Sequence, residues 1–193
     1  MNRALFLDRD GTINIDYGYI NDPGMVELVP GCAEGLKFLQ EKYGFLLLVI
    51  SNQSGIARGY LTPEDLEAVN FRVRTLLEEQ GVRISHFYHC PHHPEYGDKQ
   101  DCGCRKPAPG MIIKGIKDYQ INPAASYVIG DKLTDAEAGY NAGITSILFS
   151  HSDFSEPESF SGLQNHHLFP NFVAYNFSEV CDFISKDSNE KGF

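Results

Sequence analysis

No apolar run in these 193 residues approaches the roughly 18 to 20 needed to cross a bilayer, the longest being Phe45 to Ile50. Nor does a basic n-region with an apolar leader open the chain, which runs from Met1 straight into a strand-like segment, so a cytoplasmic protein without a membrane partner is expected. Positive charge is scarce: 16 Lys and Arg stand against 26 Asp and Glu, a formal net charge of −10. Proteins that wrap nucleic acid draw affinity from clustered Lys and Arg, so that balance argues against one; an anionic small molecule fits only if positive charge gathers at one place. Five cysteines, an odd number without an export signal, do not make a disulfide framework. Internal repeats and low-complexity tracts are missing as well. What is present is ordinary for a folded domain: 42% hydrophobic and 22% charged residues, with 18 Gly and 10 Pro. The length fits a single domain over 1–193, and the lack of a long insertion to serve as a cap predicts an open site and a monomer.

Ala4–Asp8, Phe45–Ser51, His86–Cys90, Ser126–Gly130 and Thr145–Ser150 are short apolar runs, most of them rich in β-formers, and read as strands. Their hydrophobicity is near-continuous rather than alternating, as in parallel strands covered on both faces. Helical patterns alternate with them. Gly31–Tyr43 places Ala33, Leu36, Leu39 and Tyr43 on one face, and Thr62–Gln80 opens with a Thr cap followed by Pro; Pro109–Tyr119 and Thr134–Ala142 complete the set. This order predicts an α/β fold with a doubly wound, mostly parallel sheet, whose chemistry lies beyond the carboxyl ends of the strands. Segment 151–171, rich in Ser, Glu, Pro, Asn and His, reads as a surface loop before a strand near Phe172–Tyr175, a helix over about Ser178–Ser185 and a frayed tail, 186–193.

The strand ends carry reactive groups. The first runs into Asp8-Arg9-Asp10-Gly11-Thr12, two carboxylates at i, i+2 ahead of a Gly that lets the chain turn. Alone this could be an ordinary Asp-Gly turn, but the second strand ends in Ser51-Asn52-Gln53-Ser54-Gly55, which can present donors to a phosphate, and the fourth ends in Gly130-Asp131-Lys132 with Asp135 beyond. Asp8, Asp10 and Asp131 make a hard, all-oxygen set suited to Mg²⁺. Near a bound phosphoryl group, one carboxylate can attack phosphorus while another protonates the leaving oxygen.

Cys90, His92, Cys102 and Cys104 form a Cys₃His set of the kind that holds structural zinc, with His89 and His93 as competing ligands. Such a zinc would clamp the loop that ends just before Arg105 and Lys106. Cys32 and Cys181 lie apart from the cluster, among helix-like residues, and read as core-packing thiols.

In order and spacing, Leu7-Asp8-Arg9-Asp10-Gly11-Thr12, Ser51-Asn52-Gln53, Lys106 and Gly130-Asp131-Lys132 resemble the four motifs of the haloacid dehalogenase (HAD) superfamily of aspartate-nucleophile phosphatases. Residues 52–59, Cys90-Pro91-His92-His93-Pro94, Cys102-Gly103-Cys104-Arg105-Lys106-Pro107 and Pro109-Gly110-Met111 look like the heptose-bisphosphate phosphatases of its histidinol-phosphatase-like subfamily, the likeness spanning Ala4 to Phe149. That resemblance implies a Rossmann-like HAD fold and a Mg²⁺-dependent sugar-bisphosphate phosphatase serving nucleotide-activated heptose synthesis for lipopolysaccharide core or surface glycan. It implies Asp8 as the nucleophile that forms an aspartyl phosphate and Asp10 as acid and then base. Ser51 and Lys106 would hold the transferring phosphoryl group. Mg²⁺ would sit on Asp8, the Asp10 carbonyl and Asp131, with Asp135 behind them. Asp16-Tyr17-Gly18-Tyr19 resembles the substrate loop, and Asn52, Gln53 and Ser54 would line the substrate. Arg105 would take the non-reacting phosphate, and Lys132 would offset carboxylate charge or touch the substrate.

Three other readings compete. A histidinol-phosphate phosphatase shares the motifs and zinc loop but would be expected to offer acidic partners to an ammonium group, whereas residues 54–60 and Arg105 suit a bisphosphorylated polyol. A polynucleotide 3′-phosphatase is disfavoured by the acidic charge. A non-enzymatic zinc-binding module leaves Asp8, Asp10, Ser51, Lys106 and Asp131 unexplained.

Overall fold

The computed structural model describes residues 1–97, 102–150 and 170–192. Residues 98–101 of the expected zinc loop and 151–169 of the expected surface loop lie outside the described residues, as does 193. Six strands, β1 (Ala4–Leu7), β2 (Leu46–Asn52), β3 (Ile84–Cys90), β4 (Tyr127–Gly130), β5 (Thr145–Phe149) and β6 (Phe172–Ala174), form one sheet in the order β3-β2-β1-β4-β5-β6. Every pairing is parallel. Among the described residues five α-helices accompany them: α1 (Cys32–Tyr43), α2 (Pro63–Glu79), α3 (Gly110–Tyr119), α4 (Leu133–Asn141) and α5 (Phe177–Glu190). The chain winds outward from β1 to β3, returns, and winds the other way from β4. The reversal opens a crevice between β1 and β4 at their carboxyl ends.

The continuous apolar runs are explained by two cores. Leu5 and Leu7 of β1, Leu47 and Val49 of β2 and Ile129 of β4 pack with Leu36 and Leu39 of α1, Val69 and Val73 of α2 and Val180 and Ile184 of α5. Their neighbours in the same strands, Ala4, Phe6, Leu48, Ile50 and Val128, pack instead with Met111 and Ile112 of α3 and Ala138 of α4. Successive side chains of a strand point to opposite faces, so a strand covered on both faces must be apolar at every position. Cys32 is fully buried in the first core and Cys181 packs against it. Local chemistry agrees at the helix starts: Thr62 Oγ1 accepts from the Asp65 N–H at 3.1 Å while Asp65 Oδ2 accepts from the Thr62 N–H at 2.8 Å, a reciprocal cap on α2. Among the described residues no helix is long and apolar enough to cross a membrane.

The tail departs from expectation. Residues 186–190, read from the sequence as the start of a frayed end, are the last turns of α5. Val180 and Ile184 continue at the same spacing to Ser188, which is 1% exposed. A serine at the third position hides the stripe from a reading based on apolar periodicity. The turn is also held from outside the helix, because the Tyr127 hydroxyl donates to Asp187 Oδ2 at 2.6 Å and Lys191 pairs with the same carboxylate at 2.6 Å. Removing 186–193 strands the Tyr127 hydroxyl, and a buried unsatisfied polar group costs about 1–3 kcal/mol. The truncated protein is expected to melt several degrees lower by circular dichroism; an unchanged melting temperature would contradict this account of the tail.

Candidate active site

β1 delivers Asp8 to the crevice, and the Asp8 N–H donates to Ile129 O at 2.9 Å, carrying the β1–β4 ladder one residue past the strand. The chain then folds back: the N–H groups of Ile13 and Asn14 donate to Arg9 O at 2.9 and 3.0 Å, and that of Gly11 to Asn14 O at 2.7 Å. Gly11 has φ +83°, and a Cβ there would collide with the Asp131 carboxylate arriving from β4, so glycine is required on both counts. Gly130 is confined in the same way, since a Cβ would strike Asp135.

Lys106 crosses the sheet edge to meet these carboxylates. Its Nζ donates to Asp8 Oδ1 at 2.7 Å and to Ile50 O at 2.8 Å, and pairs with Asp135 Oδ1, while the residue is only 4% exposed. Burial alone would lower the Lys106 pKa, but the charges of Asp135 and Asp8 outweigh it and hold the pKa at about 12. Asp8, Asp131 and Asp135 each offer a carboxylate oxygen within 4.8 Å of the others. Burial pushes the Asp8 carboxyl up to about 6 against the pull of Lys106, with Asp135 and Asp10 adding to the rise. Burial and the Asp8 charge lift Asp131 to about 8. Asp131 Oδ1 is buried without a hydrogen-bond partner. Three carboxylates against one buried ammonium leave negative charge uncompensated, and one of their oxygens, Asp131 Oδ1, has no hydrogen-bond partner. This all-oxygen donor set fits a divalent cation of the Mg²⁺ type. Asp135 is the least available of the three, since it is tied to Lys106 and accepts from the Lys132 N–H at 3.0 Å.

The Asp10 carboxylate takes no part in that cluster. Oδ1 accepts from Arg9 Nη2 and Asn14 Nδ2, both at 3.0 Å, and Oδ2 accepts from Arg9 Nη2 at 2.9 Å and Gln53 Nε2 at 2.8 Å. Gln53 also donates to Ser51 Oγ at 2.7 Å. Asn52 turns to the backbone of Lys106, its Oδ1 accepting from the Lys106 N–H at 3.0 Å and its Nδ2 donating to Lys106 O at 3.1 Å. In this structure both amide side chains, expected to line the substrate, have protein partners. Ser54 is buried in the same turn. The sequence predicts no role for Arg9, Asn14 or Asn70, and only Arg9, a basic residue between two aspartates, gives a signal there.

Around the mouth, Lys132 Nζ donates to Asp16 Oδ2 at 3.3 Å, joining β4's end to the Asp16–Tyr19 segment. Tyr17 and Tyr19 are half exposed, and the Tyr19 ring lies 4.9 Å from that of Tyr60. Arg105 donates from Nη1 to His92 O at 3.1 Å. Arg58, another residue without an assigned role, lies 4.4 Å over the Tyr96 ring and 2.7 Å from His93 Nε2.

Cys90, His92, Cys102 and Cys104 converge as the spacing predicts. Cys90 Sγ lies 3.1 Å from Cys104 Sγ, 3.6 Å from Cys102 Sγ and 3.5 Å from His92 Nδ1. Tetrahedral ligands about 2.3 Å from zinc would stand roughly 3.7 Å apart, so the set is compatible with zinc. Of the three candidate histidines His92 is the one in the cluster, with Nδ1 inward. His93 is engaged elsewhere, by Arg58 and by the Glu95 N–H at 3.0 Å.

A family model described as HAD-hydrolase-like matches residues 103–179. The D-glycero-β-D-manno-heptose-1,7-bisphosphate 7-phosphatase of Haemophilus ducreyi is 46% identical over 145 residues, covering 74% of this chain and 79% of that one. The enzyme of the same name from Escherichia coli is 42% identical over 144 residues, covering 73% and 75%. Among solved structures, the D,D-heptose 1,7-bisphosphate phosphatase of B. bronchiseptica, complexed with magnesium and phosphate, superimposes with a TM-score of 0.79 at 25% identity, over 96% of this chain and 99% of that one. With a parallel sheet reversing at β1 and β4 and no large cap among the described residues, the protein is a phosphoric monoester hydrolase of the HAD superfamily. Within that superfamily the chain belongs to the D-glycero-D-manno-heptose 1,7-bisphosphate 7-phosphatase family.

The raised carboxyls have a pH consequence in the metal-free protein. With folded pKa values of about 6 and about 8 against 3.8, Asp8 and Asp131 hold protons that the unfolded chain has released, so their contribution to stability declines as pH rises through that window. A divalent cation displaces those protons and binds more tightly as pH rises. Mg²⁺ is expected to raise the melting temperature more at about pH 8 than at about pH 5.5. Equal increments at the two pH values would contradict a cation site on these carboxylates.

Proposed function

We propose that this protein removes the 7-phosphate of D-glycero-β-D-manno-heptose 1,7-bisphosphate, through an aspartyl phosphate on Asp8 and with Mg²⁺ as cofactor. The reaction would supply heptose 1-phosphate for nucleotide activation. The observation that carries the chemistry is Asp8 held at 2.7 Å by a buried Lys106 beside a carboxylate cluster. The substrate reading is supported by the relatives' names and by the Asp16, Tyr17, Gly18 and Tyr19 segment, which Lys132 ties to the mouth through Asp16.

Asp8 and Asp131, with the Asp10 backbone carbonyl, would hold Mg²⁺, which when bound neutralises phosphoryl charge and orients it for in-line attack. An Asp8 oxygen attacks phosphorus as the bond from phosphorus to the sugar C7 oxygen breaks, and protonated Asp10 gives its proton to that oxygen. The Asp10 carboxylate then takes a proton from water while the water oxygen attacks phosphorus, which releases phosphate and frees Asp8. Lys106 and the Ser51 hydroxyl bind the phosphoryl oxygens in both steps. Arg105 binds the phosphate that does not react, and Lys132 lies beside Asp131 at 3.6 Å, where it limits carboxylate repulsion. Zinc on Cys90, His92, Cys102 and Cys104 fixes the segment that carries Arg105 and Lys106.

Phosphate release would be measured on heptose 1,7-bisphosphate, histidinol phosphate and a 3′-phosphorylated oligonucleotide. The bisphosphate is expected to be preferred, and Asp8→Asn to lose several orders of magnitude in kcat while remaining folded. Arg105→Ala should lose about ten- to a hundredfold in kcat/KM on the bisphosphate and little on a monophosphate. Preference for histidinol phosphate, or equal losses in Arg105→Ala, would reassign the substrate.

The two metals separate experimentally. Brief chelation should abolish activity, and added Mg²⁺ restore it, while one equivalent of zinc stays bound. The Cys102→Ser, Cys104→Ser double variant should lose zinc, thermal stability and turnover together. A fully active double variant would rule out the clamp.

A further inference from the structure

Arg9 is 1% exposed and among the largest fully buried side chains of the molecule. A buried guanidinium is destabilising unless its charge and its donors are matched. Here the match is divided between two partners: Nε and Nη2 grip the Asp10 carboxylate, and Nη1 donates to Asn70 Oδ1 on α2 at 2.9 Å. Gln53 grips Asp10 from the other side. Its Nε2 carries two hydrogens, one directed to Asp10 Oδ2 at 2.8 Å and one to Ser51 Oγ at 2.7 Å. The reverse amide orientation would set Oε1 against Asp10 Oδ2, an oxygen that already accepts from Arg9 Nη2, so the hydrogen-bond network selects this one. Since Ser51 Oγ accepts from Gln53, its own hydrogen is left to donate to a bound phosphoryl oxygen. Groups from three elements thus converge on one carboxylate: Asn14 in the turn after β1, Gln53 after β2, and Asn70 of α2 acting through Arg9.

We infer that Gln53 and Arg9 are positioning residues for proton transfer, holding Asp10 at the leaving-group oxygen while Gln53 orients the Ser51 hydroxyl. The inference rests on the role proposed above for Asp10. Neither residue gains or loses a proton in the cycle. Their contribution is to confine a carboxyl group that would otherwise rotate, and misplacement of a general acid matters in proportion to how badly the leaving group needs its proton. An alkoxide leaving from a sugar needs it; a nitrophenolate does not.

The test measures kcat for wild type, Gln53→Ala and Arg9→Lys on heptose 1,7-bisphosphate and on aryl phosphates of graded leaving-group acidity, with Asp10→Asn as the reference. Asn70→Ala, remote from the crevice on α2, is measured alongside in case the variants at Arg9 do not fold. Gln53→Ala is expected to lose about tenfold to a hundredfold on the sugar ester and less than about threefold on nitrophenyl phosphate, with a steeper leaving-group dependence across the series. Asn70→Ala should steepen the dependence in the same direction, by less. Equal losses on both ester classes in a folded Gln53→Ala, or a leaving-group dependence unchanged in both Gln53→Ala and Asn70→Ala, would overturn the positioning role alone. A wild-type protein that releases no phosphate from either class would overturn the proposed function and this inference with it.

Discussion

The Lys106 ammonium, buried between Asp8 and Asp135, is the interaction on which the site depends. A parallel sheet that reverses direction between β1 and β4 brings the carboxyl ends of those strands together, and here both ends carry aspartate. Without a cation that arrangement repels itself. Lys106 supplies a buried positive charge between Asp8 and Asp135 that lets them coexist. Burial and the Asp8 charge keep the Asp131 carboxyl raised, and its Oδ1 has no hydrogen-bond partner, so the cluster is receptive to a divalent ion.

Delivering Lys106 to that point is a long-range task, since it reaches Asp8 from 98 residues away in the chain. Two devices accomplish it. Asn52, at the end of β2, closes reciprocal hydrogen bonds with the Lys106 backbone. The Cys90, His92, Cys102 and Cys104 cluster brings Cys102 and Cys104 to the end of β3, and the Gly110 N–H at the start of α3 donates to Gly103 O at 2.9 Å. The cysteines therefore belong to the same construction as the carboxylates, although no cysteine is near Asp8 in function.

The crevice divides its acids by environment. Asp8 and Asp131 are crowded by like charge, whereas Asp10, two residues from Asp8, is surrounded by Arg9, Asn14 and Gln53. Carboxylates so close in sequence sit in different surroundings because the chain folds back directly after Asp8, with the Ile13 and Asn14 N–H groups donating to Arg9 O.

Much of this was legible in the residues. Apolar runs without alternation determined a doubly covered parallel sheet, Asp-x-Asp and the later Ser, Lys and Asp marked the strand ends that meet in the crevice, and the Cys₃His spacing marked four side chains that converge in a way compatible with zinc, because each depends on local order or on residue types with few other uses. Tertiary structure alone decided the partners of uncharged amides and the fate of residues whose stripe is polar. Asn52 and Gln53 read as substrate contacts and turned inward to Lys106, Asp10 and Ser51. His92, already preferred in the sequence over His89 and His93, lies with the three cysteines, while His93 meets Arg58 and the Glu95 N–H. Residues 186–190 stayed helical because Tyr127 reaches Asp187 across the fold. The physical reason is common to all three: an amide, an imidazole or a serine can satisfy its hydrogen bonds in many ways, and only the packed chain selects which partner is within about 3 Å.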